Sequence, residues 1–167
     1  MIYLCAVYEK EVYMRKNIAL DIISVQTRLE GDFFASDGEG EKNKIEISTE
    51  GELVFEDGKV RVEYEETELT GMEGSVTVLE FSENDRQTVT MTRSGGVSAS
   101  MIFKENSRYM TTYETGFFPI EMCIVTKGVS NEMHEDGGVI ALDYTIEIHG
   151  VCMERTYLTV RAAEITQ

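Results

Sequence analysis

Apolar side chains recur at every second residue along most of this chain, and that period leaves little room for anything but β-strands. The clearest row is Ile140, Leu142, Tyr144, Ile146 and Ile148, set against Val139, Ala141, Asp143, Thr145, Glu147 and His149. Val89, Met91 and Arg93 alternate in the same way with Thr88, Thr90 and Thr92. No window sustains the three-and-four spacing of an amphipathic helix. The expectation is an all-β protein with little or no helix.

Turn residues divide the alternation into strands. A first strand is expected over residues 18–29, with a bulge at Ile22-Ile23 where the phase slips. Ile45, Ile47 and Thr49 read as a second strand, and Leu53 with Phe55 as a third. Asp57-Gly58 is a two-residue hairpin signal leading into Val60, Val62 and Tyr64. Further strands follow over 76–81, 88–93, 97–104, 108–115, 120–126, 138–149 and 152–162. Residues 30–43 and 128–138 read as polar loops. About ten strands joined by short turns leave edges that an open sheet would have to protect. The fold expected is therefore a single closed antiparallel β-barrel of about eight to ten strands, with room for one small ligand.

The chain of 167 residues is long enough for one domain with a real core. The barrel is expected over 18–167, and residues 1–17 are read as an N-terminal extension or added strand, with Met14 a candidate natural start. Residues 1–8 are too short for a membrane span and lack the basic start of a signal peptide. With 31 acidic against 15 basic residues the net charge is −16, which repels phosphate backbones and anionic lipids. Neither nucleic acid nor a membrane is expected as a partner. Cys5, Cys123 and Cys152 are odd in number and have no metal-ligand spacing, which suits thiols in a reducing cytoplasm. His134, among Glu132, Glu135 and Asp136, reads as a solvated turn. Asp37 to Glu41 lacks the ligand pattern of a calcium loop. No metal, cofactor or catalytic residue is assigned.

One polar constellation stands out. The apolar row Val60, Val62, Tyr64 ends on Glu66, and the row Val89, Met91 ends on Arg93. Strands that alternate up and down bring Glu66, Arg93, Glu114 and His149 to one rim. Glu66 and Arg93 face inward there, and His149 lies on the outward row. Tyr113-Glu114-Thr115 echoes Tyr64-Glu65-Glu66-Thr67 on a strand of the same direction. The expected cluster is Glu66, Arg93, Glu114, Thr67, Tyr64, Tyr113 and His149. Three roles are open to it: an ion pair that closes the barrel end, a head-group site for a small ligand, or an acid–base pair.

These same residues carry a family resemblance. The run Tyr64-Glu65-Glu66-Thr67-Glu68-Leu69-Thr70-Gly71-Met72-Glu73-Gly74 resembles the signature of the YwiB-like bacterial proteins, a family of unknown function. Arg93-Ser94-Gly95, Met101 with Phe103, Tyr113-Glu114-Thr115 and the stretch from Gly137-Gly138 to Tyr144 resemble it too. The resemblance covers about residues 18–160 and implies a calycin-type, lipocalin-like barrel, cytoplasmic, with no established activity. The chain departs from that pattern at Gly116, where the family carries a proline.

Two functions follow as expectations. The first is a non-enzymatic barrel that holds a small molecule in its lumen. The alternative is an interaction module, a homodimer through the outer sheet, with Thr88, Thr90 and Thr92 on one candidate face. An acid–base enzyme using Glu66 or Glu114 ranks behind both.

Overall fold

The computed structural model describes residues 13–29 and 41–166, so the readings made on residues 1–12 and on most of the 30–43 loop lie outside it. Within it the chain forms ten antiparallel strands and one 3₁₀ turn, Glu68–Thr70. The strands are β1 (Met14–Arg28), β2 (Lys42–Glu56), β3 (Lys59–Glu65), β4 (Val76–Ser82) and β5 (Asp85–Ser94). They continue with β6 (Ala99–Lys104), β7 (Arg108–Glu114), β8 (Pro119–Asn131), β9 (Gly137–Ile148) and β10 (Val151–Glu164).

Except at the β6–β7 step, each strand pairs with its sequence neighbours, and β10 returns to pair with β1, so the order is that of an up-and-down barrel. The seam lies between β6 and β7. One bridge joins it, with Ser98 N–H donating to Glu114 O (3.0 Å) and Glu114 N–H to Ser98 O (2.8 Å). The Thr111 hydroxyl adds a bond to Ser100 O across the seam (2.6 Å). The all-β, nearly closed barrel is thus the fold expected from the alternation.

Three details differ from the sequence reading. The second and third strands are one, because β2 runs unbroken through Gly51. Ile45, Ile47, Thr49, Gly51, Leu53 and Phe55 share one parity, and the glycine is a packing device rather than a break. A Cβ at Gly51 would sit 2.4 Å from Glu63 O and 2.6 Å from Leu20 Cδ1. No bulge occurs at Ile22-Ile23, since the register of β1 is continuous against both neighbours. β8 extends through Asn131, so the loop to β9 is shorter than expected. Asp57-Gly58 does form the expected hairpin turn, with φ of 52° and 72°.

Inward rows make the core. Ile18, Leu20, Val60, Leu79, Val89, Phe103, Ile124, Ile140, Leu142 and Val160 are all buried. They fill the end of the barrel where β1, β3 and β9 begin. Met133, in the loop before β9, is fully buried there, and its N–H donates to Asn131 Oδ1 (3.1 Å). Asn131 in turn donates to Arg86 O (2.9 Å), tying the β8–β9 loop under the barrel. No helix among the described residues is long and apolar enough to cross a membrane.

Gly51→Ala forces a methyl against a backbone carbonyl in the middle of three paired strands. We expect it to destabilise by about 1–3 kcal/mol in urea unfolding; a change inside experimental error would mean that β2 is not held this close to β3.

Candidate functional site

The other half of the barrel is hollow. A cavity of about 290 Å³ opens there, lined on its apolar side by Ile22, Ile45, Ile47, Met101, Met122, Ile146 and Leu158. Its polar side carries Tyr64, Glu66, Arg93, Tyr113, Tyr144, Glu154 and Thr156. The loop after β3 roofs it with Thr70, Gly71 and Met72. That roof is folded on itself, with Gly71 N–H donating to Glu68 O (3.0 Å) and Ser75 N–H to Met72 O (3.0 Å). Gly71 ends the 3₁₀ turn in the left-handed region at φ 71°.

Register explains why the charged pair meets. Tyr64, Thr77 and Arg93 stand opposite one another on β3, β4 and β5. Glu66 lies just beyond the end of β3, where its N–H donates to Ser75 O (2.8 Å). Its side chain continues the inward row and leans across Thr77. The Thr77 hydroxyl donates to Glu66 Oε1 (2.5 Å), and Arg93 Nε lies 3.7 Å from the same oxygen. The Glu66 side chain is 2% exposed and that of Arg93 16%, so the arginine is the more accessible of these two cavity-lining charges. At 3.7 Å the pair is an ion pair without a hydrogen bond, and Arg93 Nε is buried with no hydrogen-bond partner.

Burial pushes the Tyr64 phenol well above its ordinary value of 10.0. The Glu66 charge adds to that rise, while Arg93 and the Thr77 hydroxyl oppose it. Tyr144 is raised too, again by burial first, with Arg93 and Thr156 opposing. Both phenols therefore face the cavity as neutral donors.

Of the seven residues expected at the site, Tyr64, Glu66, Arg93 and Tyr113 line the cavity. Thr67, Glu114 and His149 do not. Thr67 begins the roof loop, where its carbonyl accepts from the Thr70 hydroxyl (2.8 Å) and its own hydroxyl is buried without a partner. Glu114 is on the outward row of β7, because Tyr109 and Tyr113 take the inward one. His149 is exposed in the β9–β10 turn with φ 52°. Glu114 and His149 instead border an outer groove with Thr112, Phe118, Pro119, Ile120, Glu121 and Ile148.

Tyr144, Thr156 and Glu154 of the polar lining, and the fully buried Thr77 that bonds Glu66, were not among the seven residues expected. Tyr144 was on a visible inward row, and the presence of Thr77 and Thr156 follows from pairing with Tyr64 and Tyr144. Glu154 was hidden by the bulge at Met153, which shifts the register between Cys152 and Glu154. No group of three or more His, Cys, Asp or Glu suited to a metal occurs among the described residues.

Fold and site together define an up-and-down β-barrel with one solid end and one hollow end, the hollow end carrying a polar cluster. The chain belongs to the family described as a domain of unknown function, DUF1934, whose model matches residues 34–160. Its fold is similar to the crystal structure of the ywiB protein from Bacillus subtilis, with a TM-score of 0.73 at 22% identity, covering 91% of this chain and 94% of that one. A search of curated proteins returned no match. The resemblance carried by residues 64–74 and their companions is thus borne out at the level of family and fold.

Arg93→Ala leaves the Glu66 carboxylate buried with only the Thr77 hydroxyl. We expect a loss of about 3 kcal/mol, of which the added change Glu66→Gln returns at least half. Chemical denaturation of the two variants measures both quantities. Because Tyr64 and Tyr144 hold their protons more tightly folded than unfolded, the stability they contribute is fully present below pH 10.0 and is lost as pH rises beyond it. Thermal melts of the Tyr64→Phe, Tyr144→Phe double variant should show a shallower alkaline fall than the parent.

Proposed function

We propose that this protein is a non-enzymatic binding barrel that holds one small molecule in the hollow half of its lumen. The observation that carries this reading is the cavity of about 290 Å³. A barrel serving only as a scaffold gains stability by filling such a space. This one keeps it, surrounds it with Ile, Leu and Met, and adds Arg93, Glu66 and three tyrosines to the lining. Convergent polar groups over an apolar enclosure are the usual composition of a ligand pocket. The head of the ligand meets the polar groups, and its body lies against Ile45, Ile47 and Leu158. The roof loop with Met72 covers it. A cytoplasmic setting belongs to this reading and is supported by Cys123 and Cys152 being free thiols.

A second reading is self-association, and it is favoured by a different surface from the threonine row. Phe117 and Phe118 are 93% and 65% exposed in the β7–β8 connection, beside the groove of Pro119, Ile120 and Ile148. Two such patches on two copies would cover each other. Size-exclusion with light scattering separates this from the first reading, since a strict monomer removes it.

The binding reading is tested with an uncharged fluorescent reporter of small volume, N-phenyl-1-naphthylamine. The parent protein should bind it and brighten it. The lumen-filling variants Ile47→Phe and Met101→Phe should lose that signal while keeping a cooperative melt. Equal signal in parent and filled variants would place the reporter on the outside and end the proposal.

A further inference from the structure

Three charged side chains line the cavity: Glu66, Glu154 and Arg93. Glu66 is matched by Arg93 at 3.7 Å. Glu154 is not matched. Its Oε1 accepts from the Thr156 hydroxyl (3.0 Å), and no lysine, arginine or histidine pairs with it among the described residues. Arg28 stands opposite Glu154 in the β1–β10 register but is exposed and makes no ion pair with it. The lining therefore carries one carboxylate more than it has cations.

The walls repeat one arrangement twice. Tyr64 faces Thr77 across β3 and β4, and Thr77 donates to Glu66. Tyr144 faces Thr156 across β9 and β10, and Thr156 donates to Glu154. In the first copy Arg93 completes the charge; in the second the corresponding charge is absent. Tyr113 and Tyr144 line the cavity as well, and aromatic rings attract cations through their faces.

Resting on the ligand-binding reading above, we infer that the cavity takes a small organic monocation, an ammonium head set against Glu154 beside Tyr113 and Tyr144, with an apolar tail toward Ile47 and Leu158. The ligand supplies to Glu154 the positive charge that Arg93 supplies to Glu66. An anionic head would enter a lining that already holds two carboxylates, Glu66 and Glu154, and would share the one guanidinium with Glu66, 3.7 Å from it. The protein's net charge of −16 works in the same direction, raising the local concentration of cations and lowering that of anions.

The test uses three ligands of equal length: hexylammonium, hexanol and hexanoate, titrated calorimetrically into the intact protein at neutral pH. Hexylammonium is expected to bind at least about tenfold more tightly than hexanoate, and more tightly than hexanol. Glu154→Gln, nearly identical in shape and at a half-exposed position, should bring hexylammonium down to the level of hexanol and leave hexanol unchanged. The comparison of the three ligands on the parent protein needs no variant, so misfolding of Glu154→Gln leaves a decisive measurement. Tightest binding by hexanoate would overturn the cation inference while sustaining the lumen as a binding site, with Arg93 its anchor. Equal binding of all three, or loss of hexanol binding in Glu154→Gln, would also overturn it. Binding of none would end the lumen reading together with this one.

Discussion

A carboxylate that strand parity drives indoors organises the upper half of this barrel. Val60, Val62 and Tyr64 face the core, and Glu66 follows them on the same row. Its exit to solvent is blocked because its own N–H is held to Ser75 O, which fixes the chain at the end of β3. A carboxylate this deep needs compensation, and it comes from the next two strands in order: the Thr77 hydroxyl on β4, then the Arg93 guanidinium on β5. A slip of one residue in any of the three strands would turn Glu66, Thr77 or Arg93 outward. The charge thereby fixes the register that the apolar rows alone would tolerate only roughly.

Much of this is legible in the amino-acid sequence, for a physical reason. Alternation reports burial directly in an antiparallel sheet, so Glu66 and Arg93 could be placed inside from parity, and their shared end from strand direction. The same logic failed where the period is locally broken or ambiguous. Gly51 looked like a boundary because a glycine weakens the apolar signal, although its parity never changed. Glu154 was lost because the extra residue Met153 offsets β10 against β9, and only the pairing reveals which side Glu154 faces. Glu114 sits at the expected rim but outside the wall, beside His149, whose parity already read as outward. Rim position follows from topology, whereas face depends on the inward pair Tyr109 and Tyr113, which the sequence alone did not rank.

The two ends of the barrel solve opposite problems with the same strands. On β1 the inward row runs Ile18, Leu20, Ile22 and then Ser24 and Gln26; on β10 it runs Glu154, Thr156 and then Leu158, Val160 and Ala162. These two strands are paired, so their apolar halves coincide and so do their polar halves. The apolar half packs around Phe103, whose ring meets Tyr144 at 4.7 Å between centroids. The polar half lines the cavity with Ser24, Gln26, Glu154 and Thr156. The division between a filled end and a hollow one thus follows the composition of these two strands.

Closure itself is delegated in a way that suits a hollow end. Among the described residues, the hydrogen bonds that cross the β6–β7 seam are the Ser98–Glu114 bridge and the Thr111 bond. The bridge lies at the end of β7 where the cavity opens, so the backbone fastens the barrel where side chains cannot. At the other end Phe103 on β6 and Ile124 on β8, both fully buried, hold the walls together by packing instead. The barrel is thus fastened by hydrogen bonds at its hollow end and by apolar contact at its solid end. Glu66 and Arg93 sit at the boundary between those two regimes, above the last buried apolar layer and below the roof loop. That position lets one ion pair serve both as the ceiling of the core and as the floor of the site.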